Sequence, residues 1–198
     1  EKTFHYLNTI PTSARRMSQL IDDLLVYSRL GRSALRLQPV DMQSAVEEIR
    51  AMLDATNAHE RPGHRIEWKI APLPIMVGDE NMLRQVWQNL LSNAVKYSTG
   101  SEPAVIEVGY GRDANGDHRF EVKDNGVGFD MAYASKLFGV FQRLHSVSEF
   151  EGTGIGLASV RRVLARHGGR IDADAQLGKG AHFTFTLPAS IDAQPDAK

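Results

Sequence analysis

Residues 89–97 read NLLSNAVKY and form the polar end of a longer apolar pattern. Asp79 can cap a helix on which Leu83, Val86, Trp87, Leu90, Leu91, Ala94 and Val95 recur at helical spacing. Asn89, Asn93 and Lys96 are spaced i, i+4 and i+7, so they share one helix face. Amide oxygens beside an ammonium suit a hydrated Mg²⁺ that bridges phosphates. Taken alone, the stretch favours an ordinary solvated helix face over a binding site.

Residues 124–129 read DNGVGF and follow an alternating, strand-like run. The glycines permit a ligand to approach the backbone closely, and the Asp124 carboxylate can accept a hydrogen bond from an exocyclic amine. A tight turn is the alternative, because Asp, Asn and Gly are common turn residues.

Two more glycine motifs follow. Residues 152–157 read GTGIGL at the start of a predicted helix, where backbone amides favour phosphate. The spacing differs from the dinucleotide fingerprint and from the Walker motif, so a flexible linker and a phosphate-binding loop are equally compatible with it. Residues 178–180 read GKG, which by itself predicts only a turn.

The remaining patterns predict short elements. Asp41 can cap a second helix that carries Met42, Val46, Ile49 and Leu53 and ends before Pro62 and Gly63. Strands are predicted at residues 64–70, 105–110, 118–122, 170–175 and 181–187, with a hairpin turn at Asn115-Gly116 and a last helix over 155–166 that stops at Gly168-Gly169. The prediction is a two-layer α/β sandwich with a mixed, mostly antiparallel sheet and helices on one face.

The first thirty residues carry a heptad pattern: Thr3, Leu7, Ile10, Ala14, Met17, Ile21, Leu24 and Ser28. Such a helix must bury its apolar stripe against the following domain, another copy of the chain, or a further helix. Pro11 predicts a kink, or a helix that begins near it.

Composition narrows the function classes. The chain has 198 residues, a formal net charge of -1 and no cysteine, so nucleic-acid binding, disulfides and thiolate chemistry are disfavoured. No run approaches the ~20 apolar residues of a membrane helix. We therefore expect one or two soluble domains of cytoplasmic type, without direct membrane contact. The start at Glu1 suggests a piece of a longer protein.

Together, in this order, the four motifs resemble the ATP-binding domain of sensor histidine kinases, within the GHKL or Bergerat-fold ATPases. Residues 89–98 match the N box, 124–129 the first glycine box, 138–143 the F box and 152–157 the second glycine box. Residues 141–145 and 152–169 look especially like phytochrome- and PAS-associated kinases. The resemblance divides the chain into a helix (1–30), a linker (31–40), a catalytic domain (41–188) and a flexible tail (189–198).

The resemblance implies roles for individual residues. Asp124 receives the adenine amino group, Asn93 and Asn89 hold Mg²⁺, and Lys96 contacts the phosphates. Arg143 is a candidate to stabilise the transferring phosphate, and residues 142–153 form a lid. The remaining residues implied to contact ATP are Tyr97, Gly126, Gly128, Gly152, Thr153, Gly154, Gly156 and Leu157.

The resemblance also makes residues 1–30 the second helix of a dimerisation and phosphotransfer hairpin. The phosphorylated histidine belongs to an H-[ED]-x-x-[TN]-P pattern, which this sequence lacks. We interpret His5 as an ordinary helix residue, because Tyr6 follows it where an acid belongs. The expected protein is a histidine kinase that does not phosphorylate itself alone. Its implied partners are a second copy, an upstream sensor domain and a response-regulator receiver domain.

Two alternatives stay open: a nucleotide-gated scaffold without transfer, and a GHKL-type ATPase. Chaperone and gyrase members carry a glutamate base at the position of Asn89, and an amide cannot take a proton, so hydrolysis is disfavoured. His145 and His167 have no metal-ligand companions at useful spacing and are interpreted as structural or exposed. His182 departs from the pattern, which usually has a small hydroxyl residue there.

Overall fold

The computed structural model of the chain describes residues 2–144, 150 and 152–189, and in the first helix it describes side chains from Ser13 onward, except Arg16. The tail beyond residue 189 and most of the residues between 145 and 151 lie outside this description. The predictions for the tail, for His145 and for part of the expected lid therefore stay predictions.

Four α-helices are present in the described residues: α1 (Lys2–Leu30), α2 (Met42–Glu60), α3 (Glu80–Tyr97) and α4 (Gly156–Arg166). The two predicted caps are confirmed. The Asp41 carboxylate accepts from the Ser44 amide at the start of α2, and Asp79 accepts from the Met82 amide at the start of α3. These bonds satisfy amides that a helix leaves unpaired at its first turn.

The main sheet has five strands in the order β2 (Ile66–Ile70), β4 (Ala104–Arg112), β5 (His118–Asp124), β7 (Gly180–Leu187) and β6 (Arg170–Gln176). The β2–β4 pair is parallel and the other pairs are antiparallel. A separate antiparallel pair, β1 (Leu37–Asp41) and β3 (Ile75–Asp79), and a 3₁₀ helix at Met131–Lys136 were not predicted. The predicted fold class is confirmed.

Helix α3 is fixed to the sheet by an aromatic cluster. Trp87 is fully buried and meets Phe120 and Phe185 edge-on, with ring centroids 5.7 and 5.2 Å apart. Edge-to-face pairs of this kind add about 0.5–1.5 kcal/mol to the burial of the rings. The polar face of α3 is consequently held at a fixed height above the ends of β5 and β7.

Helix α1 runs without a break through Pro11, so a later start is wrong. Its C-terminal half turns Leu20, Asp23, Tyr27 and Leu30 toward the domain, whereas the described residues of the predicted stripe, from Ala14 to Ser28, are exposed. Met17 and Ile21 are each 59% exposed and Leu24 is 44% exposed. Of the three partners expected for the stripe, the following domain is therefore excluded at these positions.

The buried corner where α3 begins and α4 ends is held by His167, which is 1% exposed. Its Nε2 accepts from the Asp79 amide at 3.0 Å, and its Nδ1 lies 2.8 Å from the Val163 carbonyl and donates to it. Burial lowers the pKa of His167. The structural role predicted for this histidine is confirmed. None of the helices in the described part of the chain has the length and apolar run needed to span a membrane.

Candidate functional site

A cavity of about 250 Å³ lies where α3, α4 and the ends of β5 and β7 meet. It brings together every predicted site residue except Gly126: Asn89, Asn93, Lys96, Tyr97, Asp124, Gly128, Arg143, Gly152, Thr153, Gly154, Gly156 and Leu157. The N box, the F box and both glycine boxes thus contribute to one site, whereas residues 178–180 lie outside its lining. We call one side the strand wall, which consists of Asp124, Gly128, Ala181 and Phe183 with the adjoining glycines Gly126 and Gly180. We call the other side the helix wall, which consists of Asn89, Asn93, Lys96, Arg143 and the loop 152–156 that contains Thr153.

Asp124 is the charged group of the strand wall and is 5% exposed. Its Oδ1 accepts from the amides of Gly126 at 2.9 Å and Ala181 at 3.3 Å. Burial raises the pKa of Asp124 to about 6, although both amide hydrogen bonds oppose the shift. Near neutral pH the side chain is a buried carboxylate, and hydrogen-bond donors bind more strongly to a buried carboxylate than to one in water.

At the glycines of the strand wall, neighbouring backbone leaves no room for a side chain. A Cβ atom on Gly126 would lie 2.3 Å from the Tyr97 carbonyl oxygen, and one on Gly128 would lie 2.1 Å from that of Gln176. Real Cβ atoms do not approach so closely. Gly128 also has a φ of +59°, which favours glycine. These glycines therefore allow the backbone segments next to Asp124 to pack closely against one another.

The helix wall starts from the polar face of α3. The Asn89 side-chain amide donates to the Gln85 carbonyl at 2.9 Å, which leaves its oxygen as an available acceptor. That oxygen would lie 2.5 Å from a Cβ atom on Gly156, so the glycine at the start of α4 makes room for it. The i, i+4, i+7 spacing of the sequence places Asn93 and Lys96 along the same wall.

Two cations share the helix wall. Burial, and secondarily the charge of Arg143, lowers the pKa of Lys96 to about 8. The Arg143 guanidinium donates to the carbonyl oxygens of Phe150 and Gly152. Neighbouring cations repel one another, so an anion bound between them is favoured.

Tyr97 closes α3 beside these cations. The Lys96 ammonium lies 4.4 Å from the centre of its ring, and Phe150 meets the ring edge-on at 4.9 Å. Burial raises the pKa of the Tyr97 phenol. An aromatic surface of this kind can pack against a flat ligand group.

Several lining residues were not predicted. Ala181 and Phe183 come from β7, and Asp23 comes from α1 and accepts from the Thr153 hydroxyl at 2.5 Å. The sequence carries no local signal for these residues, because only the packing of distant segments brings them to the cavity. Ser92, Leu137, Gln142 and Leu144 also line it.

The histidines with described side chains lie outside the cavity lining. His182 contacts Glu121 at 3.1 Å on the sheet, and His64 bonds to Asn57 and Ser101. Within the described residues, no group of three His, Cys, Asp or Glu side chains has a metal-binding arrangement. The side-chain oxygens of Asn89 and Asn93 on the helix wall are of the hard-oxygen type that Mg²⁺ prefers.

Residues 78–191 match the family described as histidine kinase-, DNA gyrase B- and HSP90-like ATPase, and the chain belongs to this family. The match spans the α3 motif, both glycine boxes and the closing strands. The resemblance that the four motifs indicated is thereby confirmed.

The relatives within this family are sensor kinases and phytochromes. Cyanobacterial phytochrome A of Nostoc sp. is 37% identical over 172 residues, which cover 87% of this chain and 22% of the phytochrome. Aerobic respiration control sensor protein ArcB of Escherichia coli is 34% identical, covering 93% of this chain and 24% of ArcB. A crystal structure of full-length ShkA in complex with AMPPNP has 32% identity and a TM-score of 0.73, covering 98% of this chain and 40% of that one. The chain thus spans about a quarter of the first relatives' length.

Proposed function

We propose that the chain is the catalytic domain of a sensor histidine kinase, which transfers the γ-phosphoryl group of Mg-ATP to a histidine on another segment. The observation that carries this proposal is the convergence of a buried carboxylate on the strand wall with two amides and two cations on the helix wall. The first suits a purine amine and the second suits magnesium and phosphates.

In this proposal the adenine lies against the strand wall. Asp124 accepts from the exocyclic amine through a carboxylate that two backbone amides already orient. Tyr97 and Phe150 lie beside the nucleoside. Because the Asp124 site is buried and shaped by backbone, a base without an amine at that position would bury the carboxylate without the hydrogen bond that the ligand should donate, and would bind weakly.

The phosphates lie along the helix wall. The oxygens of Asn93 and Asn89 would hold Mg²⁺ together with phosphate oxygens, a hard-oxygen set of the kind this ion prefers. Bound there, the ion neutralises charge on the phosphates. Lys96 and Arg143 add positive charge, and α4 begins at Gly156 on the cavity lining, where the first amides of a helix favour an anion.

Transfer breaks the bond between the γ-phosphorus and the oxygen that leaves with ADP, and forms a bond from phosphorus to an imidazole nitrogen. The imidazole loses its ring proton to solvent. Positioning and electrostatics supply most of the catalysis in phosphoryl transfer. Asn89 provides no base for water, which supports transfer to a histidine over hydrolysis.

The N-terminal helix completes the proposal. Residues 1–30 are the second helix of a dimerisation hairpin, residues 41–188 are the catalytic domain, and residues 31–40 link them. The outward apolar side chains of α1, Met17, Ile21 and Leu24, support this because a helical bundle would cover them. The proposed partners are a second copy, a sensor domain and a response-regulator receiver domain.

The metal assignment is tested with Asn93→Ala, and with Asn81→Ala as a matched control because Asn81 is exposed on the same helix. Calorimetry should show Mg-dependent ATP binding by the wild type and the control, weakened about 10–100-fold by Asn93→Ala. Binding that is indifferent to magnesium or to this substitution would contradict the assignment.

The transfer step is tested with γ-labelled ATP. The chain alone should stay unlabelled, and a histidine-bearing hairpin of a relative should accept label only in its presence. Acid-labile label on His5, or steady phosphate release without an acceptor, would contradict the proposal.

A further inference from the structure

One face of α1 contacts α4 and the glycine loop (residues 152–156) at three places. Asp23, Tyr27 and Leu30 share this face at spacings i, i+4 and i+7. The Arg162 guanidinium lies 4.6 Å from the Tyr27 ring centre, and Arg166 donates to the Leu30 carbonyl at 2.7 Å. These two contacts lie on α4 itself.

The third contact reaches the cavity. The Thr153 hydroxyl donates to Asp23 Oδ2 at 2.5 Å, and both residues line the cavity. Among its described lining residues, Asp23 and Asp124 are the carboxylates. Asp124 belongs to the strand wall, so Asp23 is the carboxylate that α1 places beside the helix wall.

We propose that Asp23 is a specificity-determining residue through which α1 competes with the terminal phosphate of a nucleoside triphosphate. This inference rests on the proposed function, which assigns the helix wall to phosphates. A terminal phosphate would accept from the Thr153 hydroxyl in place of Asp23 and would repel its carboxylate. Binding of the triphosphate then releases α1 from the glycine loop.

The same competition acts in reverse. Because coupling between two binding events is reciprocal, α1 docked through Asp23 lowers the affinity for the triphosphate by the factor by which the triphosphate weakens docking. A ligand without phosphates makes no contact that distinguishes docked from released α1. The nucleotide is therefore read by its phosphate charge.

The test compares Asp23→Asn with Asp22→Asn. Asp22 is the adjacent residue and is exposed, so its variant makes the same charge change away from the cavity. Calorimetry should show tighter ATP binding in Asp23→Asn than in the wild type, because the charge that repels the phosphate is removed. The gain should be about 5- to 10-fold, because solvent screens a partly exposed charge. ADP should gain less, adenosine should be unchanged, and the control should match the wild type for all three.

Hydrogen exchange gives a second readout. Amides of residues 20–30 should exchange faster in the wild type when AMPPNP is added, and no such change should follow adenosine. Equal affinities in the wild type and Asp23→Asn, or an equal gain for ATP and adenosine, would overturn the competition while leaving the proposed function intact. A wild-type chain that fails to bind ATP would contradict the proposed function, and this inference with it.

Discussion

The two walls of the cavity are built by different means. On the strand wall the glycines pack against backbone: a Cβ atom on Gly180 would lie 1.9 Å from the Asp124 carbonyl oxygen. On the helix wall the nearest neighbours of a Cβ atom on Gly152 or Gly156 are the ends of the Lys96 and Asn89 side chains, whereas a Cβ atom on Gly154 would lie 2.9 Å from the Phe141 backbone. Backbone cannot yield without moving a strand, whereas a side chain can change rotamer.

The two walls should therefore recognise their ligands in different ways. The strand wall has one rigid shape, suited to a flat base with a donor at one position. The helix wall consists of adjustable amides and cations, suited to a metal and phosphates whose positions change during a reaction. We therefore expect shape to determine ligand affinity at the strand wall and charge to determine it at the helix wall.

The largest effect is expected from Gly180→Ala on the strand wall. Gly180 has a φ of +96°, and the added methyl group would clash with the Asp124 backbone. Strain and overpacking together cost about 3 kcal/mol, or about 6–12 °C in Tm. Because Asp124 must shift, ATP affinity measured by calorimetry should fall by more than about 100-fold.

Gly178→Ala is the matched control in the same turn. Gly178 has a φ of +72°, yet a Cβ atom there meets nothing within 4 Å. It should cost only the backbone strain of about 1 kcal/mol, a Tm loss of about 2–4 °C, and leave ATP binding intact. Similar losses in the two variants would contradict a rigid strand wall.

The two walls should differ in how ligand affinity depends on pH, because the shifted acid is on the strand wall and the shifted base is on the helix wall. Adenosine should bind less tightly as the pH falls below about 6, because protonated Asp124 no longer accepts well from the amine, with a slope near tenfold per pH unit. Tripolyphosphate should bind less tightly as the pH rises above about 8, because Lys96 loses its positive charge. Binding titrations of each ligand from pH 5 to 9.5 would measure both losses of affinity.

Lys96→Gln should abolish the loss of tripolyphosphate affinity above about pH 8 and leave the loss of adenosine affinity below about pH 6 unchanged. If the pH at which adenosine affinity falls moves with this substitution, the two walls titrate together and are not independent.

The smallest effect is expected from Gly152→Ala on the helix wall. Its φ of +152° makes alanine strained, but the nearest atom to the new methyl group is the Lys96 ammonium at 3.4 Å, which can move. We expect ATP affinity to fall about fivefold, equivalent to about 1 kcal/mol. A loss as large as that of Gly180→Ala would mean that the glycine loop is as rigid as the strands.

The sequence predicted most of the fold because most elements are encoded locally. Both caps, the buried face of α3 and the hairpin around Asn115-Gly116 follow from spacing and turn chemistry. The β1–β3 pair was missed, because Ile75 and Val77 stay exposed and Pro39 interrupts the pattern of a strand. The parallel pairing of β2 with β4 was also missed, since no local signal records it.

The candidate site divides in the same way. The predicted site residues were found because each motif has its own spacing, and the cavity gathers all of these residues except Gly126. Asp23, Ala181 and Phe183 were missed because their role depends on distant segments meeting. The stripe of α1 shows the limit most clearly: its periodicity predicted an apolar face that needs a partner, and the structure shows that the adjoining domain leaves Met17, Ile21 and Leu24 exposed.

Most of the elements, the motifs and the residue types of the chemistry follow from the amino-acid sequence, because helical and strand periodicities act over a few residues. The folded structure was needed to show which groups share a cavity, that burial shifts the pKa values of Asp124 and Lys96 toward neutrality, and that Asp23 lies against Thr153. Burial and electrostatic interaction depend on distance in space, and chain positions 23 and 153 become neighbours only in the folded protein.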